Sequence, residues 1–217
     1  MEIWNIWTSF LTNGINFLSM YFGVSEALAI IIFTLLARIM LMPISLKSAY
    51  MMHKNKLAIE RVRPEIERLR DLYSENPGEL AKRTIAIYKK HGIKFLDKTS
   101  VINIGSQGIL GLGIFQALRD MVISSKFMWI ADIAKPDVIL AFVVGVLTFI
   151  SMQMMPGAVE QQNLLIFLIP AMVSMFVLVS FPSALGLYWA TSNIVTIVQT
   201  LALRIIILKE NQLSGRA

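Results

Sequence analysis

Residues 28–47 read LAIIIFTLLARIMLMPISLK, and the fold turns on how this stretch is read. From Ala27 to Ile44, eighteen residues carry a single charge, that of Arg38. A helix rising 1.5 Å per residue needs about 17–25 such residues to cross a hydrocarbon core roughly 30 Å thick, so the run predicts a membrane span. The rest of the chain agrees. Of its 217 residues 56% are apolar and 16% charged, whereas a soluble domain has about 25% charged residues. Water is not the main solvent of this protein.

Working outward, four more runs are long and apolar enough to cross: Val101–Leu118, Val138–Met155, Leu164–Phe181 and Ala184–Leu203. Asn103, Ser106 and Gln107 dilute the first of these. The expected class is an all-α integral membrane protein with a five-span core over residues 26–208, preceded by residues 1–25 and followed by a short tail, 209–217. The chain has no cysteine, which excludes a disulfide framework and thiolate metal sites.

Loop charge sets orientation, because short segments rich in Lys and Arg stay in the cytoplasm. Thirteen basic residues lie between Lys47 and Lys98, none precedes Glu26, and three lie between Arg119 and Lys135. The 47–98 loop is therefore expected inside, and five spans would put the N-terminus outside and the C-terminus in the cytoplasm. The connection Pro156–Asn163 carries no Lys or Arg and is silent on the matter.

Residues 1–25 lack the basic start of a signal peptide, and Asn5, Asn13 and Asn16 interrupt any apolar core of one. Trp4, Trp7, Leu11, Ile15, Leu18 and Phe22 recur at helical spacing, with Asn5, Thr8, Ser9, Thr12, Asn13 and Asn16 on the other side. This pattern predicts an amphipathic helix lying flat on the outer surface, its tryptophans at headgroup depth. The alternative is an element packed on the spans.

The 47–98 loop reads as a helical hairpin. Val62, Ile66, Leu69 and Tyr73 form one stripe, Leu80, Thr84 and Ile87 another, and Asn76-Pro77-Gly78 the turn, with Gly92 as a C-terminal cap. Its basic residues are interleaved with Glu60, Glu65, Glu67, Asp71, Glu75 and Glu79. That pattern suits either a solvated face or a surface that leans on anionic lipid headgroups or ribosomal RNA.

Arg38 is the twelfth residue of its eighteen-residue run. A cation placed there costs about 2.5–3.5 kcal/mol on insertion scales, so it is expected to face a bundle interior or water. It could instead snorkel, since Lys47 is only about 13 Å further along the helix. None of the other spans holds a carboxylate to pair with it. An unpaired arginine implies a hydrated cavity, whose other walls would be the polar residues of the remaining spans: Gln107, Gln153, Ser192, Asn193 and Gln199.

The chain resembles the YidC-type membrane protein insertases over nearly its whole length. The resemblance is carried by residues 28–47 with the arginine five positions before the proline, and by RPEIERLRDLYSENPGELAKRTIAIYKKHG at 63–92. FMWIADIAKP at 127–136 and FPSALGLYWATSNIV at 181–195, with its Leu-Tyr-Trp and Thr-Ser-Asn, complete it. It implies five core helices around a hydrophilic groove open to cytoplasm and lipid and closed to the outside. Arg38 then takes the place of the groove arginine, Trp189 that of its aromatic residue, and Gln153 that of a third-span glutamine. The implied activity is insertion of nascent membrane proteins into the bacterial plasma membrane, with no cofactor and no nucleotide. A Sec-type translocon and the ribosome are the implied partners. The chain departs from the pattern at Lys94-Phe95-Leu96-Asp97-Lys98 and at Gly111 and Gly113, where the family commonly has a glutamine and a proline. It is expected to be a core-only member, with no large outer domain and a tail at 209–217 too short to bind ribosomes.

Two other classes compete. Met152-x-Met154-Met155 and Met51-Met52-His53 offer soft ligands for a copper transporter. A channel or small-molecule carrier would need a pore open to both sides or inverted repeats, into which five spans do not divide. His53 and His91 lack paired carboxylates at triad or metal spacing and are expected to be solvent-exposed, so enzymatic chemistry is not expected.

Overall fold

The computed structural model describes residues 2–94, 98–121, 123–155 and 164–214. Within them are seven helices: α1 (Glu2–Phe22), α2 (Glu26–Leu72), α3 (Pro77–Lys90), α4 (Lys98–Asp120), α5 (Val138–Met154), α6 (Leu165–Leu178) and α7 (Ser183–Ser214). The described residues form no strand, only an isolated bridge between Phe127 and Ile130. By length and composition α2, α4 and the Ser183–Glu210 part of α7 can cross a membrane, while α5 and α6 are apolar but shorter, at 17 and 14 residues. The expected connection Pro156–Asn163 and the departure at Phe95–Asp97 lie outside the described residues.

The helices are longer than the apolar runs that mark them. The sequence divided a span ending at Ile44 from a hairpin beginning at Lys47, yet α2 is one helix of 47 residues, with Pro43 and Pro64 inside it. Nothing between Ser45 and Lys56 caps or breaks a helix, and the segment is held sideways instead. Ser45 Oγ bonds Gln199 Oε1 at 3.1 Å and Ser48 Oγ bonds Ser100 Oγ at 3.2 Å. Likewise 209–214 is no separate tail but the end of α7, where the Tyr50 hydroxyl donates to the Glu210 carboxylate at 2.8–2.9 Å.

The core is apolar and shared. α5 packs on α6 and α7, α2 on α7 and α4, and α1 on α2 and α4, whereas the backbones of α4 and α6 stay apart among the described residues. The segment 123–137 folds over one end of this bundle. Ile123, Ile130 and Ile133 are buried in it. Ser124 N donates to Glu26 at 2.8 Å, Ala27 N to Ser125 Oγ at 3.2 Å, and Ser183 N and Ala184 N to the carbonyls of Lys135 and Ile133 at 2.9 and 3.0 Å. The starts of α2 and α7 are thereby pinned to one cap.

At the other end α2 and α3 form the expected hairpin. Asn76 Oδ1 caps α3 by accepting from Glu79 N at 3.1 Å, Pro77 opens the helix, and Gly92 follows it at φ 67°, a conformation glycine adopts freely. Val62, Ile87 and Ile93 are its small core, with Ile66, Leu69 and Tyr88 packed around them. The charges pair along each arm, as in Arg63–Glu67 and Arg83–Glu79 at 3.0 Å.

α1 does not lie across the end of the bundle, as a flat surface helix would; it packs lengthwise on the spans. Trp7, Leu11, Ile15 and Leu18 face α2 and α4. A Cβ on Gly14 would sit 2.6 Å from the Phe33 ring, and one on Gly113 would meet the Trp7 indole and Leu11. The Trp7 indole N–H donates to the Ile109 carbonyl at 3.3 Å. Glycines at these two points let the helices approach closely, the device small residues serve in membrane bundles.

Candidate functional site

Arg38 points into the bundle. Its side chain and backbone are 8% exposed in total, so the guanidinium does not snorkel towards Lys47. It donates to Gln107 Oε1 on α4, and on α7 to Thr196 Oγ1 and, at 3.0 Å, to the Ser192 carbonyl. Every acceptor is neutral. Nε of Arg38 has no partner, and neither has Asn103 Oδ1 nearby. Buried polar atoms are rarely left unpaired in a dry interior, and two beside one cation are what a water-containing site would leave.

Two cavities meet at this residue. One of about 660 Å³ runs from Arg38, Gln107 and Thr196 past Tyr188, Trp189, Ser192 and Asn193 to an apolar mouth at Leu112, Phe115, Val177 and Phe181. Those four lip residues belong to α4, α6 and the turn after α6, and the backbones of α4 and α6 stay apart. The gap therefore opens sideways, between helices whose outer faces, including Ile109, Leu112, Val173 and Phe176, are exposed and apolar. The second cavity, about 220 Å³, continues from Arg38 and Gln107 along Ser45, Ser48, Asn103, Gln199 and Thr200 towards the hairpin end. Phe115 and Phe181, on the two sides of the lateral gap, meet edge to face at 5.3 Å.

The sequence named most of these walls. Arg38, Gln107, Trp189, Ser192 and Asn193 line the larger cavity and Gln199 the smaller one. Gln153 does not join them; it is exposed. The inward face of α5 carries Thr148 and Ser151, three residues apart, and position 153 is turned about 200° from 151. Those two residues hold Asn193: Ser151 Oγ donates to its Oδ1 at 3.2 Å and its Nδ2 donates to Thr148 Oγ1 at 2.9 Å. Thr196, Asn103 and Tyr188 were missed. Helical spacing could have found two of them, since Thr196 is four residues from Ser192 and Asn103 four from Gln107.

Met52 and Met155 bring the two methionine clusters to the smaller cavity. The same cavity contains the Arg38 cation, which disfavours a copper ion there. Thioethers at a groove mouth instead give an adaptable apolar surface. Gly111 is one of the groove positions where the chain departs from the insertase pattern, and a Cβ there would lie 3.3 Å from the Tyr188 hydroxyl.

Fold and site define a class: a polytopic helical membrane protein with a buried, unpaired cation in a polar groove that opens sideways. Comparison with known proteins narrows it. The model of the family described as 60Kd inner membrane protein matches residues 17–210, and the chain belongs to that family. It is 30% identical over 206 residues to the membrane protein insertase MisCA of Bacillus subtilis (strain 168), covering 89% of this chain and 76% of that protein. It is equally 30% identical over 207 residues to membrane protein insertase YidC 1 of Halalkalibacterium halodurans, covering 90% and 77%. To the YidC insertase of Aquifex aeolicus it is 27% identical over 199 residues, 88% of this chain but 38% of that longer protein. The resemblance read from residues 28–47, 63–92, 127–136 and 181–195 is thus borne out.

Proposed function

We propose that this chain is a membrane protein insertase that receives nascent membrane proteins in the groove around Arg38 and releases them sideways into lipid. The observation that carries the reading is a buried cation held only by neutral groups where two cavities meet, one towards the basic hairpin and one at a lateral gap between α4 and α6. A wet, positive groove lowers the cost of bringing a client's polar flank part of the way across. The client's apolar segment then partitions through the gap. α5 and α6, at 17 and 14 residues, are about 25 and 21 Å long, shorter than a hydrocarbon core of roughly 30 Å. Such mismatch favours local thinning, which shortens the remaining path. Neither step calls for a nucleotide or a covalent intermediate.

In this reading α2, α4, α5, α6 and α7 cross the bacterial plasma membrane, with the hairpin and the end of α7 in the cytoplasm and the 123–137 cap outside. Five crossings alone would start the chain outside. The cap supports a groove closed to the outside, which disfavours an ion channel or carrier. The basic hairpin suits anionic lipid headgroups, and a Sec-type translocon and the ribosome are the expected partners in delivery. Gln107, Trp189, Ser192 and Asn193 are the client-facing walls. The deciding experiment is depletion of a bacterial host's own insertase with this chain supplied in its place. Growth and insertion of the host's clients should be restored, and a correctly accumulated chain that restores neither would refute the assignment.

A further inference from the structure

We infer that α1 is a sixth membrane-crossing helix, which brings the start of the chain to the same side of the membrane as the α2–α3 hairpin. The inference is independent of the insertase reading. It rests on the depth that α1 reaches along its neighbours.

Two rulers give that depth. α2 begins at Glu26 beside the 123–137 cap, and Gly14 packs on Phe33, seven residues down, or about 10 Å. Trp7 and Phe10 share a crevice with Ala37, Met40 and Leu41, about 16–22 Å down. α4 reports the same depth from its own end. Trp7 bonds Ile109, eleven residues from Asp120, or about 16 Å. A helix lying on the surface stays within about 5–10 Å of the headgroup boundary. α1 instead runs antiparallel to α2 past the level of Arg38. Glu2 is five residues beyond Trp7, placing it about 26 Å from the cap, close to the level of Lys47 at about 31 Å.

The distribution of side chains around α1 agrees. A surface helix needs an apolar face on one side only, whereas the apolar residues of α1 spread over more than half of its circumference. Trp7, Leu11, Ile15 and Leu18 face the bundle. Ile3, Ile6, Phe10, Phe17, Met20 and Tyr21 form a second sector, each at least 58% exposed. A helix wedged between protein and lipid needs both. The polar stripe left over carries one charge, that of Glu2 in the first turn, and part of it is satisfied internally: Thr8 Oγ1 donates to the Asn5 carbonyl at 3.1 Å and Ser19 Oγ to that of Val24 at 2.8 Å.

The chain has no cysteine, so single cysteines report their side of the membrane cleanly. Ile3→Cys, Tyr21→Cys and Gly78→Cys would be labelled with a membrane-impermeant maleimide in right-side-out and inverted vesicles, with Glu2→Cys replacing Ile3→Cys if the latter does not accumulate. A crossing α1 has the Ile3 and Gly78 positions reacting from one side and Tyr21 from the other. Labelling of the start from the same side as Tyr21, or from neither side, overturns the inference. If Gly78 itself reacts from outside, the cytoplasmic hairpin is wrong, but the comparison of Ile3 with Gly78 still decides whether α1 crosses.

Discussion

Replacing Arg38 by alanine removes a charge without stranding a counter-ion, because its partners Gln107, Thr196 and Ser192 are neutral. Hydrogen bonds to charged groups contribute about 1.5–3 kcal/mol each when breaking them strands a dry partner. Here Gln107 and Thr196 line cavities and can turn to water, and the Ser192 carbonyl also accepts from Thr196 Oγ1 at 3.0 Å. Losing a desolvated guanidinium offsets part of what remains. Arg38→Ala is therefore expected to accumulate and fold nearly as the parent does. Its function should change with client charge. A client carboxylate passing about 6 Å from the guanidinium gains roughly 0.7 kcal/mol at the dielectric of water and roughly 2.8 kcal/mol at an effective value near 20. That corresponds to about a threefold to a hundredfold loss in insertion rate for an acidic flank. The assay is protease protection of paired clients in proteoliposomes, identical except for Asp or Asn in the translocated flank. Equal slowing of both clients, or of neither, would refute the electrostatic role.

Three further outcomes can be measured on the same protein. Ser192→Cys should react with a water-soluble maleimide from the cytoplasmic side whereas Phe142→Cys, on the exposed apolar face of α5, should not; equal inertness would mean the groove is dry. Asn193→Ala removes two bonds to α5 and is expected to cost about 1–2 kcal/mol. It should lower the melting temperature in detergent by more than Arg38→Ala does, and no shift would contradict the network. Deleting residues 74–79 at the hairpin tip should leave the chain in the membrane fraction, because the small core at Val62, Ile87 and Ile93 lies away from the tip; loss from that fraction would count against an independent hairpin.

What the sequence made legible followed from the period of its apolar residues. The runs around Arg38 and at Ala184–Leu203 are long and uninterrupted, so the helices could be placed to within a few residues at their first turns. Their polar extensions at the other end were hidden, because a helix leaving a bilayer becomes polar without ending, and α2 continues through Lys47 with no capping residue to mark a boundary. Asn103 and Thr196 belonged to the same faces as Gln107 and Ser192, and helical spacing carried that information. Gln153 failed for the converse reason. On a span with a single amide, polarity was taken for direction, whereas the phase of Thr148 and Ser151 sets which side faces inward. α1 was read with one apolar stripe because six apolar residues in phase suffice to define an amphipathic helix. The second stripe, from Ile3 to Tyr21, became meaningful only once the first was seen to be covered by protein.

Arg38 does two things at once, and they can be separated. Its fork ties α2 to α4 through Gln107 and to α7 through Ser192 and Thr196, bridging helices around the groove. It also leaves a net positive charge in the cavity, since a carboxylate partner would have cancelled the field that neutral acceptors leave intact. A lysine keeps the charge and loses the planar fork; a glutamine keeps hydrogen-bonding capacity and loses the charge. If the field is what clients respond to, Arg38→Lys should insert the acidic client near the parent rate and Arg38→Gln should behave like Arg38→Ala. The opposite ranking, with glutamine active and lysine inactive at equal protein levels, would assign the residue to holding the helices together. The groove would then work by its shape and its water alone.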